Sequence, residues 1–399
     1  MLEIQSKSIS ILVFFAIGIT SLLSLNQILF PKLLIDLTSV YQSASENTFE
    51  LGLWSIPFLI FNISFFVLWF FTKFFKISIQ KYIKYLLDFD LSKKITILSL
   101  IVIFSVYLGL SIWGFNDLVS DSGDYAATLE GVENVELYVE GGHLNYFILR
   151  YIFLAVSDEV FGNVNILPFL SSIALLSLTY LFTVKLSGKR ISGIVALIIL
   201  TQSNLFHLFD TTAAYDTFWV SFFLLTLYLI IRKPIMSPVF FISSILTKMV
   251  AFLFFPIMIA FILSINKSKK ILIVYCFFPL FFIILFFVPG AFSMEQFGTI
   301  DIRNMLTGFN SLTMGLRNDG LILLLFFPAL FLLINKSRNH FRYANFLLIS
   351  ITMMMLIPPL ISGVADYTNQ PYRLIPFITM FSISFGYLFS KKTNQILTK

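Results

Sequence analysis

The chain has one cysteine in 399 residues, Cys276, and it lies inside an apolar run. A lone thiol excludes a disulfide framework and any cysteine-based metal spacing, which leaves Cys276 as a small residue among apolar neighbours. Charge is scarce as well. Asp, Glu, Lys and Arg make up 12% of the residues, about half the share usual in soluble domains, while apolar residues reach 58%. No glycine-rich phosphate loop follows a strand pattern, so the usual nucleotide-binding folds are excluded. The apolar runs do not alternate with period two, which excludes a membrane β-barrel.

What is abundant is phenylalanine, with 49 residues, and mean hydropathy is +0.91. Apolar runs of about 17–25 residues recur, the length a helix needs to cross a bilayer. These features predict an all-α polytopic membrane protein. The net charge of +6 would suggest a nucleic-acid partner in a soluble protein. Here Lys and Arg gather in short clusters between apolar runs, so membrane topology explains them and no nucleic acid is expected. The run from 9 to 30 is longer than a signal-peptide core and has no small-residue cleavage site, so it reads as a retained helix.

Apolar length and Lys/Arg bias together predict about twelve spans, at 9–30, 51–72, 95–114, 166–184, 191–208, 217–231, two short helices within 235–265 meeting at Thr247-Lys248, 271–288, 321–334, 344–362 and 374–390. Tyr146 to Val156 is too short to span and is read as a helix lying in the interface. The clusters Lys185/Lys189/Arg190, Arg232/Lys233, Lys336/Arg338/Arg342 and Lys391/Lys392 then fall on the cytoplasmic side, together with both termini, in a multi-pass protein of the cell membrane. Residues 290–318 are expected to be an outer loop. The chain divides into a two-helix extension over 1–94 and a main transmembrane domain over 95–399, with a long outer loop at 116–165.

That loop carries Asp117, Asp121, Asp124, Glu130, Glu133, Glu136 and Glu140, with no Lys or Arg between Asn116 and Asn145. Acids left outside by positive-inside bias account for the four glutamates. They account less well for Asp121-Ser-Gly-Asp124-Tyr125, close to a helix end, where a carboxylate can face a cavity at membrane depth and where ionisable groups tend to be functional.

In these residues the chain resembles the GT-C superfamily of membrane glycosyltransferases, in particular the branch holding protein O-mannosyltransferases and the aminoarabinose transferases of lipid A. That family has a first core helix, then an outer loop with an Asp-Glu-x-x-Tyr type motif, then interfacial helices. Here Asp121 and Tyr125 match, and Ser122 stands where Glu is usual. The resemblance runs on through His143-Leu-Asn-Tyr146, Phe161-Gly162, Leu186-Ser-Gly-Lys189-Arg190, an outer Asp at 210 or 216, Thr247-Lys248 and Tyr372-Arg373-Leu-Ile-Pro376. It implies a GT-C-like helical bundle that transfers a sugar from a polyprenyl- or dolichyl-phosphate donor to a protein or glycolipid acceptor. It also implies Asp121 and Asp124 as the catalytic acids, with Tyr125, His143, Lys248, Tyr372 and Arg373 binding substrate and lipid phosphate. Asp121 and Asp124, at i and i+3, would either bind a divalent metal ion or act alone.

The chemistry asks for the same parts. A hydroxyl attacking a sugar carbon needs a base for its proton, and the departing phosphate needs cations. Other residues have plainer readings. Arg150 is read as a lipid-headgroup contact, His207 as a residue tolerated at the interface, and Asp210 and Asp216 as loop or helix-cap acids. Lys248 could also be a snorkelling lysine. A reading from another class is a transporter or lipid flippase, which calls for broken helices and ionisable groups near the midplane.

Overall fold

The computed structural model describes residues 51–74, 89–114, 123–134, 148–213, 217–265, 302–339, 341–362 and 371–390, with scattered positions in 15–30 and 273–277. Most of the spans expected at 9–30 and 271–288 lie outside the described residues. Among the described residues all regular structure is helical. In chain order the helices are α1 Ser55–Phe74, α2 Lys93–Gly114, α3 Gly123–Glu133, α4 Ile148–Phe161, α5 Ile166–Ser187, α6 Arg190–Thr201 and α7 Asn204–Phe209. There follow α8 Phe218–Arg232, α9 Ser237–Thr247, α10 Phe255–Ile265, α11 Ile302–Asn318, α12 Gly320–Arg338, α13 Ala344–Ser362 and α14 Ile375–Tyr387, with 3-10 turns at Met249–Phe254 and Pro371–Leu374.

Four of these, α1, α2, α5 and α12, are long and apolar enough to cross a membrane. Other apolar helices, among them α6, α8 and α14, are shorter. Three expectations change in detail. The interfacial segment is a helix that runs on to Phe161, taking in Ser157, Asp158 and Glu159. The span at 191–208 breaks into α6 and α7. Part of the outer loop at 290–318 is the seventeen-residue helix α11. Its apolar residues Ile302, Met305, Leu306, Phe309 and Leu316 recur at helical spacing without forming a continuous run, so a search for span-length segments passes over them.

The helices form two compact units. The first comprises Leu91–Thr201 and Phe206–Ser293. Within it α5 and α6 form a hairpin, and small or polar residues line its seams: Ser171, Ser172, Thr179 and Thr183 on α5, Ser192, Gly193 and Ala196 on α6, all buried. Small residues let helices approach closely, and hydroxyls crosslink them where no water competes. Ser171 and Ser221 bring their Oγ atoms to 3.2 Å between α5 and α8. The Ser244 hydroxyl donates to the Trp219 carbonyl at 2.7 Å between α9 and α8. Arg190 donates to the Leu91 carbonyl at 3.1 Å, which sets the start of α6 beside the start of α2. Lys93, Lys94, Lys185, Lys189, Arg190, Arg232 and Lys233 therefore collect at one end of this unit.

The second unit comprises residues 1–90, 202–205 and 294–399. Aromatic rings join α1 to α12: Phe58 meets Phe327 edge-on at 5.5 Å, and Phe66 and Trp69 each meet Phe331 at 5.3 Å. Asp319, buried before α12, accepts from the Ser203 hydroxyl at 2.7 Å and from the Leu205 backbone N–H at 3.3 Å. Lys336 donates to the Ser390 hydroxyl at 2.9 Å and lies over the Phe341 ring, so a cation closes the carbonyl end of α14.

A Cβ at Gly193 would come within 2.6 Å of Tyr180 and Val184 side-chain carbons, whereas one at Gly109 would meet nothing within 4 Å. Gly193→Ala should therefore cost about 1–3 kcal/mol through forced separation of α5 and α6. Thermal unfolding in detergent checks this, with Gly109→Ala expected to melt no lower than the parent.

Candidate functional site

At the end of the first unit away from the lysines and arginines, a carboxylate is buried among hydroxyls. Asp210 follows α7 and is 1% exposed. Its Oδ2 accepts from the Ser111 hydroxyl, in the last turn of α2, at 2.7 Å. Its backbone carbonyl accepts from Ser172 Oγ, near the start of α5, also at 2.7 Å. A serine has one proton to donate, so the 3.1 Å contact between Ser172 and Thr217 is Thr217 donating to Ser172. Oδ1 of Asp210 is buried with no hydrogen-bond partner, and so is the hydroxyl of Tyr107, one turn before Ser111 on α2. Tyr107 lies beside Asp210 without closing a bond of good geometry to it.

His207 contributes from α7, the short helix before Asp210. Its Nε2 sits 2.8 Å from the Thr201 carbonyl. A carbonyl can only accept, so Nε2 carries a hydrogen, and Nδ1 faces Asp210 Oδ2 at 3.7 Å. The ring packs on Tyr107 at 5.6 Å between centroids.

The loop after Asp210 is pinned at two further points. The Ala213 backbone N–H donates to Asn165 Oδ1 at 2.8 Å, and the Ala213 carbonyl accepts from Arg150 Nη2 at 3.1 Å. The same nitrogen reaches Thr128 Oγ1 on α3 at 3.0 Å. Asn165 is set by a tight turn: α4 closes at Gly162, whose φ of 64° suits glycine, and Ser157 then donates to the Asn163 carbonyl at 2.8 Å and accepts from the Leu167 N–H at 3.0 Å. Leu154, Val164, Ala213 and Phe218 pack together around this loop, with Leu129 and Val132 of α3 against them.

Lys248 belongs to the same end. α9 runs back from Lys233, and Ser244 bonds to Trp219 at the start of α8, so the helix reaches Lys248 near the level of the Asp210 loop. There the backbone becomes extended, with φ −157° and ψ 115°, and the chain continues as a 3-10 turn. The expected break at Thr247-Lys248 is present.

Of the other residues singled out by sequence, Asp121, His143 and Asp216 lie outside the described residues. Asp124 and Tyr125 fall in the first turn of α3, and Tyr372 in the 3-10 turn before α14; their side chains also lie outside the description. Arg373 is half-buried in the second unit, whereas Lys248 belongs to the first. One expectation is corrected: Arg150 is 7% exposed and bonded to protein atoms, so it is no headgroup contact. Of the two plain readings of Asp210, the loop acid is the one that fits; the residue before α8 is Thr217. Sequence reading missed Ser111, Ser172, Asn165 and Thr217 altogether. The available signal was their polarity at the ends of otherwise apolar helices. Among the described residues no three His, Cys, Asp or Glu side chains converge on a metal position.

No family model, curated protein or solved structure matches this chain.

Removing the Ser172 hydroxyl leaves the buried Asp210 carbonyl without its donor. Ser172→Ala should therefore lower stability by about 1–3 kcal/mol, the usual cost of a buried group left unpaired. Denaturant unfolding in mild detergent is the measurement, with Ser243→Ala as the comparison, since Ser243 bonds only within its own helix at an exposed position and should change stability little.

Proposed function

We propose that this protein is an integral membrane glycosyltransferase that moves a sugar from a polyprenyl-phosphate carrier to a hydroxyl of a protein or glycolipid at the non-cytoplasmic face. The observation that carries the reading is the buried carboxylate of Asp210 at the end of α2. It lies opposite the Lys/Arg clusters, in the unit that also holds α3, whose first turn carries Asp124 and Tyr125, and α4. Burying an acid in an apolar chain is costly and is typical of functional positions. The order of core helix, acidic segment and two short helices is also what the resemblance to GT-C enzymes implies.

In this reading the acceptor hydroxyl attacks the anomeric carbon, its oxygen forming the new bond as the bond from that carbon to the carrier phosphate breaks. Asp121 takes the hydroxyl proton, with Asp124 assisting. Asp210 orients the acceptor side, while Lys248 faces the charge that develops on the departing phosphate. A point-charged ammonium suits that task. A lipid carrier keeps the reactive bond at the interface, so no nucleotide-binding fold is needed.

A transporter or flippase is the second reading. The observation that favours it is the hydroxyl-lined Asp210, which would also suit a headgroup or cation in transit. Mass spectrometry of glycans and lipid-linked sugars in cells lacking the protein separates the two. A missing glycan with accumulated lipid-linked sugar on the outer face supports transfer; a carrier-linked sugar trapped on the inner face supports transport.

With purified protein, Asp121→Asn should lower transfer by about 10²–10⁴-fold, the range of a lost general base, with donor binding retained. Asp210→Asn should also lower turnover, and Glu136→Gln should leave it near the parent value. Near-normal transfer by both Asp121→Asn and Asp124→Asn would remove that segment from the chemistry.

The topology has its own test, in a background with Cys276 replaced by Ser. A cysteine at Lys233 should react with an impermeant maleimide only from the cytoplasmic side, and one at Glu133 only from outside. Labelling of both from one side would overturn the assignment.

A further inference from the structure

We propose that the oxygens gathered around Asp210 form a binding site for one monovalent cation of the size and hardness of sodium. The proposal goes beyond the transferase reading and does not depend on it. It rests on four side chains that three stretches of the first unit bring together. Oδ2 of Asp210 lies 2.7 Å from Ser111 Oγ, and the Asp210 carbonyl lies 2.7 Å from Ser172 Oγ. The Tyr107 hydroxyl faces Asp210, Ser111 and Ser172. Tyr107 and Asp210 are each 1% exposed, and neither the Tyr107 hydroxyl nor Asp210 Oδ1 has a hydrogen-bond partner.

Counting protons shows what this cluster needs. A hydroxyl has one proton to give. Ser111 gives its proton to Oδ2, Ser172 to the Asp210 carbonyl, and Thr217 to Ser172. One phenolic proton then remains for the lone pairs on Oδ1 and those left on Ser111. The charge is unanswered as well. Among the described residues no Lys or Arg pairs with Asp210, and His207 stands off at 3.7 Å with its Nε2 hydrogen committed to the Thr201 carbonyl. A charge taken out of water is costly until something neutralises it. A water molecule brings no charge, and a proton on the carboxyl would engage one leftover lone pair; a cation engages several at once. A single carboxylate among neutral oxygens is a hard donor set with one negative charge, which suits an alkali ion better than a divalent or transition metal. No donor set for the latter converges among the described residues. The backbone is favourable too, because Asp210 directly follows the end of α7, and sodium sites in membrane proteins are built where helices break.

The test uses the full-length protein in detergent, exchanged between sodium, potassium and choline chloride at equal ionic strength. Sodium should raise Tm by about 2 °C for each tenfold increase above its dissociation constant, and choline should not. Radiolabelled sodium should bind at one ion per chain. Both responses should vanish in Asp210→Asn. Tyr107→Phe keeps the ring and removes only the hydroxyl, so it should need about tenfold more sodium for half-saturation. Equal melting of the parent in sodium and choline chloride, with no sodium bound, would overturn the proposal; a more stable Asp210→Asn in that case would show that the carboxyl holds a proton instead. An unchanged sodium response in Asp210→Asn would place the ion elsewhere and overturn it too, as would a response to magnesium or calcium with none to sodium. If Asp210→Asn does not fold, Tyr107→Phe decides alone, and parental half-saturation in that variant sinks the site.

Discussion

The constraint on which the first unit depends is that polar groups taken into an apolar bundle must find partners inside it. Water is absent there, and an unpaired amide or hydroxyl costs roughly 1–3 kcal/mol by mutational measures. The Asp210 loop meets most of that demand with few atoms, Oδ1 of Asp210 being the exception. Ser172 takes the Asp210 carbonyl, Asn165 the Ala213 N–H, Arg150 the Ala213 carbonyl, and Ser111 one carboxylate oxygen. The partners come from three stretches of chain, so satisfying one short loop also fixes where α2, α4 and α5 stand.

Two kinds of adhesive hold the helices elsewhere, and each suits its location. In the first unit, serine, threonine and glycine bring α5, α6, α8 and α9 into close contact, as the Ser171–Ser221 and Ser244–Trp219 bonds show. In the second unit, rings pack edge to face around Phe331, and Phe326 meets Phe377 and Phe381 at tilted angles, 6.0 and 6.1 Å between centroids. The abundance of phenylalanine thus serves packing as well as apolar surface. Asp319 shows the same rule for polar groups as Asp210, since its carboxylate is spent on Ser203 and the Leu205 amide.

The two ends of the first unit are built differently. The end rich in Lys and Arg is held by backbone contacts such as Arg190 to Leu91. The opposite end is where the helices break: α2 stops at Gly114, α7 ends before Asp210, and α9 gives way at Lys248. Irregular backbone at membrane depth is tolerated where protein surrounds it or where it lines a cavity. In this unit the breaks collect at one end, with the buried Asp210 among them.

Apolar run length and charge clusters, read from the chain alone, determined the helical class, the helices near 166–184, 217–231 and 344–362, and the break at Thr247-Lys248. They did so because a bilayer-length apolar run has few other folded states, and because a lysine after an apolar helix marks its end. The amphipathic α11 escaped that reading, since its apolar residues are spaced rather than continuous. Only the tertiary structure decided that Arg150 faces protein and that Asp210 is buried against Ser111, 99 residues away in sequence. A side chain's local neighbours do not say whether it meets lipid, water or a hydroxyl on another helix. That depends on how the helices pack, and packing is settled by contacts between distant segments.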